Sequence, residues 1–218
     1  MQWLLDHSEK YRAQLRQGPF FTNLSSAHRP NDLQWVHQLV HQSREFTQAL
    51  CLRYSLCRDK RFQPVFAQHA VEEACHPDQL IAWMKEHGFL NGLEPGSVPA
   101  TLETMNTLSF CWRSAMHDPH DVQVVALNVL SEGVAFDFFN AVIPILKRLK
   151  IHTGRYWGVH ADVDMHHLAM GLDLCEEVAP NSPKGRLYHR TLWQCASLYH
   201  QMLSSWAGER VEPIELLA

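Results

Sequence analysis

The chain has 218 residues, 46% hydrophobic and 19% charged, which suits a single folded domain over 1–218 with a packed core and excludes extensive disorder. Its net charge of -4, with the basic residues scattered, offers no stripe for tracking phosphates, so nucleic acid is not an expected partner. No apolar run approaches the ~20 residues that span a bilayer, and Asp6, Glu9, Lys10 and Arg12 interrupt the start where a signal peptide is apolar, so no membrane partner and a cytoplasmic location are expected. Strand-like alternation is nearly absent while helical periodicity recurs, and the expected class is all-α.

In chain order, a first helix is predicted from about Trp3 to Arg16, ending at Gly18-Pro19. Asn31-Asp32 caps a second that buries Leu33, Trp35, Val36, Leu39, Val40, Phe46, Leu50 and Tyr54 and fades near Arg58. A third runs from Arg61 to His76 and meets Pro77, where a break or kink precedes a short helix through Ile81, Trp83 and Met84. After a loop from Gly88 to Pro99, Thr101 caps a helix through Leu108, Phe110, Trp112 and Met116. The most apolar helix follows, from Val122 to about Leu149, with Pro144 near its end. Two more run from about Tyr156 to Val178 and from Gly185 to Trp206, and 208–218 is a C-terminal tail that wraps or frays.

Six cysteines lie scattered without a CxxC pair, so neither a zinc knuckle nor a disulfide framework is indicated, and most are expected to be buried and reduced. The 15 histidines are the unusual count, and three places on the helices give them direction. His160, Asp164 and His167 stand at i, i+4 and i+7, within roughly 60 degrees of one another around a helix, while Asp162 and His166 point away. Glu73 and His76 are three apart on the third helix, the Glu and His unit of carboxylate di-iron bundles. Glu132 is a carboxylate in the middle of the most apolar helix, and a buried carboxylate is neutralised, paired or metal-bound. Singly, these read as helix decoration, or for Glu132 as a partner of Arg113 or Arg155. Together they read as a metal site.

That combination resembles the haem-oxygenase-like di-iron oxidases and oxygenases, whose helical fold is shared with thiaminase II and the pyrroloquinoline quinone synthase. From His76 to Glu132 is 56 residues and from Glu132 to His160 is 28, followed by His-x3-Asp-x2-His. Pro19-Phe20-Phe21 before a long amphipathic helix is similar to the family's opening segment. The resemblance implies a haem-oxygenase-like bundle of about seven helices. It also implies that Glu73, His76, Glu132, His160, Asp164 and His167 hold two ferrous ions, with manganese able to replace one, and that dioxygen is the co-substrate. The first carboxylate stays open between Glu73, Glu72 and His69, since His69 occupies the position seven before His76 where other members have Glu.

The resemblance further implies a small-molecule substrate such as an amino acid, amine or fatty-acid-like carboxylate, attacked by C–C cleavage or N-oxygenation, a homodimer, and an electron donor. Val129, Val134, Phe136 and Phe139 suit a substrate with an apolar portion. Members that build aminobenzoate use a lysine about three turns after the central glutamate; Ala141-Val142-Ile143 stand there, which disfavours that reaction. Two other readings follow from the fold: a metal-free thiaminase-II-like enzyme with Cys111 or Cys175 as nucleophile, and a non-catalytic helical binding module.

Overall fold

The computed structural model describes residues 1–217, with the side chains of Val159 and of residues 161–165 outside the description. Among the described residues there are nine α-helices and no strands, against about seven helices expected. They are α1 Gln2–Leu15, α2 Pro19–Leu24, α3 Val36–Leu56, α4 Gln63–Glu73, α5 His76–Glu86, α6 Leu102–His117, α7 His120–Arg148, α8 Gly154–Ala169 and α9 Pro183–Trp206. Thr101 caps α6 as predicted, its hydroxyl accepting the Thr104 N–H at 3.1 Å, and Ser182 caps α9 in the same way, accepting from Gly185 at 2.9 Å.

α7 is the axis of the bundle, packed against α1, α6, α8 and α9. It is long and apolar enough to cross a membrane by composition, contrary to the expectation from the sequence, but its most apolar window is 67% buried against the other helices. Its segment Val124–Leu130 is π-helical, with the Ser131 N–H reaching back five residues to Ala126. The widened turn carries Asn128 and, just beyond it, Glu132 on one buried side. Arg12 of α1 lies across α7 at the next residue, Gly133, where a Cβ would come within 2.9 Å of the Arg12 Cδ.

An aromatic cluster of Phe20, Trp35, Phe138, Trp157 and Trp206 fills one end of the core, with Trp35 and Trp206 stacked at 6.4 Å. Three expectations about the elements are corrected. Residues 61–76 are not one helix: α4 ends at Glu73, and Pro77 sits in the first turn of α5, where its missing N–H costs nothing. α8 ends at Ala169, short of Val178, because Gly171 at φ +81° turns the chain out of the helix. On α3, Tyr54 is exposed and Arg53 is buried, one residue out of the expected phase.

The tail from Gly208 to residue 217 wraps over the bundle: Ile214 is buried, its carbonyl accepts the Trp193 indole N–H at 2.6 Å, and the Leu217 N–H reaches Tyr11.

Candidate metal centre

Four elements deliver one buried polar cluster into this apolar frame. The end of α4 supplies His69, Glu72 and Glu73, the start of α5 supplies His76, α7 supplies Glu132, and α8 supplies His160 and His167. All but Glu72 are buried. Glu73 and His76 do meet, at 2.6 Å, although each stands at the end of a different helix; the turn through Ala74 and Cys75 preserves their spacing.

Two groups of ligand-type atoms result, each within 4.8 Å: His69, Glu73, Glu132 and His167 in one, and Glu73, His76 and His160 in the other. Glu73 belongs to both. Its Oε2 faces His76, while its Oε1 lies 3.3 Å from the Nδ1 of His167, misaligned for a hydrogen bond. The same His167 nitrogen is 3.7 Å from Glu132 Oε2, and its Nε2 is 2.8 Å from Glu72 Oε2 at the edge of the cluster. The His69 and His167 rings are 4.6 Å apart and those of His76 and His160 4.2 Å.

The electrostatics show what the cluster lacks. Burial penalises the charge on Glu73, yet His167 and His76 hold its carboxyl well below the usual range, and against the same penalty His167 and His69 lower that of Glu132. Burial also opposes charge on His167, but Glu132 and Glu73 push it up to about 11, so the ring holds a proton that offsets part of the charge of the two carboxylates. His160 is pushed down to about 4 by burial and by the neighbouring His76. Its Nδ1 donates to the Tyr156 carbonyl at 2.6 Å, which leaves the Nε2 lone pair free to ligate, while the ring stacks on Phe139 at 4.0 Å.

These residues fit metal ions. Glu73 Oε1 and His167 Nδ1 are buried without a hydrogen-bond partner, both facing the shared space. A mixed imidazole and carboxylate set suits iron or manganese, and no cysteine belongs to either group.

Next to the cluster lies a cavity of about 550 Å³, its open mouth included. Glu132 and His160 form part of its wall, Phe46, Phe138, Phe139 and Trp206 much of the rest, and Gln42, Ser43 and Tyr199 add polar groups. An apolar cleft with a few polar groups, beside reactive groups, is the ordinary form of a small-molecule site.

Of the predicted ligands, Glu73, His76, Glu132, His160 and His167 come together, and the side chain of Asp164 lies outside the described residues. His69 and Glu73 are both inside the cluster, and Glu72 is at its rim, so the three candidates for the first carboxylate position all contribute differently. His166 is exposed, as its phase predicted; Asp162 lies outside the described side chains. Glu132 meets His69 at 2.8 Å instead of Arg113, which pairs with Asp118, or Arg155.

Arg53 and Asn128 were missed by the sequence reading. Both are polar residues on apolar helix faces, the same signal that singled out Glu132. Arg53 is fully buried beside the cluster, over the Phe66 ring at 4.1 Å, and burial pushes its guanidinium down to about 9, still charged at neutral pH. Cys111 and Cys175 are buried and outside both ligand groups, and burial pushes each thiol up to about 12.

Residues 33–200 match the family described as iron-containing redox enzymes. No curated protein matches the chain. Among solved structures, a TenA homologue from Pseudomonas syringae pv. tomato superposes with a TM-score of 0.74 over 95% of this chain and 92% of that one, at 12% identity, which establishes a shared fold.

Proposed function

Because the chain belongs to the iron-containing redox enzymes with a haem-oxygenase-like, all-α fold, we propose that it is a non-haem di-iron oxidase or oxygenase of a small molecule. The observation that carries this reading is the sharing of Glu73 between two buried ligand groups. One carboxylate facing two sets of histidines is an arrangement for a pair of ions.

In this reading Glu73, Glu132 and His167 hold one ion, and Glu73, His76 and His160 the other, with Asp164 assigned to the pair from its place in the His160 to His167 motif. Bound iron, or manganese at one position, would supply the activation of dioxygen and the electron transfer that side chains cannot. The protein's own residues do the rest. His167 would present Nδ1 to the first of these ions while its Nε2–H donates to Glu72, whose side chain is 35% exposed, which fixes the orientation of the ring. Phe138, Phe139 and Trp206 exclude water and grip the apolar part of the substrate, whose reacting atom then faces Glu132 and His160. Gln42, Ser43 and Tyr199 orient its polar end. A separate electron donor completes turnover where the substrate supplies too few electrons.

The thiaminase-II-like alternative shares the fold but needs a reactive thiolate, and both Cys111 and Cys175 are held as thiols by burial. The deciding experiment is anaerobic loading with ferrous iron, a count of iron per chain, then mixing with dioxygen. Two ions per chain, with oxygen consumed and a transient visible absorption band, is the expected result. No bound iron, together with alkylation of Cys111 or Cys175 by a substrate analogue, would transfer the protein to the metal-free reading.

A further inference from the structure

His69 lies among the ligand-type atoms, 2.8 Å from Glu132, and by proximity alone it would count as a metal ligand. Its hydrogen bonds argue otherwise. Arg53 carries only donors, so where its Nη1 approaches the Asn128 side chain at 2.8 Å it must meet the amide oxygen. That orients the Asn128 NH2 toward the His167 carbonyl at 3.0 Å and toward His69 Nδ1, also at 3.0 Å. Arg53 Nη2 reaches the same Nδ1 at 2.9 Å. Two donors converge on Nδ1, so it accepts, and the ring hydrogen must sit on Nε2, pointing at Glu132 Oε1.

Resting on the two-ion reading above, we propose that His69 is a positioning residue and not a ligand: the Arg53–Asn128 pair locks it as the Nε2–H tautomer, which fixes one oxygen of Glu132 and leaves the other for the metal. Nδ1 is blocked by two donors, and Nε2 has no lone pair to give. The same chain of bonds ties the charge of Arg53 to the carboxylate without placing a cation against it, so Glu132 keeps its negative charge for the ion. Asn128 also holds the His167 backbone, which sets two of the inner ligands from one amide.

The first test uses the metal-free full-length chain with 15N-labelled histidine. Long-range 1H–15N correlations, with His69 assigned by its through-space contact to the Phe46 ring packed 6.5 Å away, are expected to show the Nε2–H tautomer. An Nδ1–H tautomer overturns the proposal, whether or not the protein binds iron. The second test compares ferrous affinity and stoichiometry in His69→Gln and His69→Leu. Gln can donate to Glu132 and accept from Arg53 and Asn128, but its amide is a poor iron ligand. His69→Gln is expected to keep two ions with affinity within about threefold of the unaltered chain, and His69→Leu to lose roughly 10- to 100-fold. If His69→Gln loses an ion, His69 is a ligand; if His69→Leu binds as tightly as the unaltered chain, the hydrogen bond positions nothing. Should the unaltered chain bind no iron, the functional reading fails on that count alone, and the tautomer still decides the role of His69.

Discussion

Two buried acidic clusters sit on α7 five residues apart, and they are completed in opposite ways. Asp137 is met by permanent cations: Arg12 reaches it with Nε and Nη2 at 2.8 and 2.7 Å, and Arg16 with Nη1 at 2.8 Å. Glu132, with Glu73 beside it, is met by histidines, and the one buried arginine nearby spends its Nη donors on Asn128 and His69. A cluster that serves the fold carries its own fixed charge. On the proposed reading, the second cluster leaves part of its balance to a proton that a bound cation would replace.

Removing one carboxylate from each cluster should have the largest and most unequal effects. Glu73→Ala should take iron from two per chain to none, because both ligand groups share that residue, as a colorimetric iron assay will show. Loss of only one ion would show that Glu73 does not bridge. Asp137→Ala should leave the iron count unchanged while costing about 3–5 kcal/mol of stability in urea titrations, since it leaves buried Arg12 with only the exposed Glu9, 3.4 Å away.

The proton-balanced cluster also predicts a pH signature for the metal-free protein. Glu73 and Glu132 are depressed in the folded state, so their contribution is complete above the ordinary carboxylate range and is lost as the pH falls below it. His167 is raised to about 11, so its contribution is complete below the ordinary histidine range and is lost as the pH climbs toward 11. Melting temperatures across pH should therefore fall at both ends, and iron loading near neutral pH should release about one proton per chain into a weakly buffered dye solution. A chain that loads iron without releasing protons would refute the exchange.

A smaller effect is expected at Gly133, where a methyl group would press on the Arg12 side chain that serves Asp137. Gly133→Ala should cost about 1–3 kcal/mol in the same urea titration and leave both irons in place. The smallest concerns the thiols: Cys51 and Cys75 are exposed and should react with a maleimide in the folded protein, while Cys57, Cys111, Cys175 and Cys195 wait for unfolding. Fast labelling of Cys111 would revive the nucleophile reading.

The helical class and several candidate ligands were legible in the sequence because both are written in local periodicity. A carboxylate amid Leu130 and Val134, or histidines seven apart, announces itself within one or two turns. The break between Glu73 and His76 was half legible through Pro77, but that the turn would keep the two side chains in contact was not. Arg53 was lost to a phase error of one residue, since an apolar stripe does not say which neighbour turns inward. The role of His69 lay beyond any local pattern. It depends on Arg53 from α3, Asn128 and Glu132 from α7, and His69 itself from α4, and a hydrogen bond has a direction only when both partners are in place. Periodicity by itself determined which faces turn inward. Which buried anion would find a fixed arginine, and which would be left with histidines for a metal, was decided only when distant helices packed, because charge compensation is a property of the contact and not of either strip of sequence.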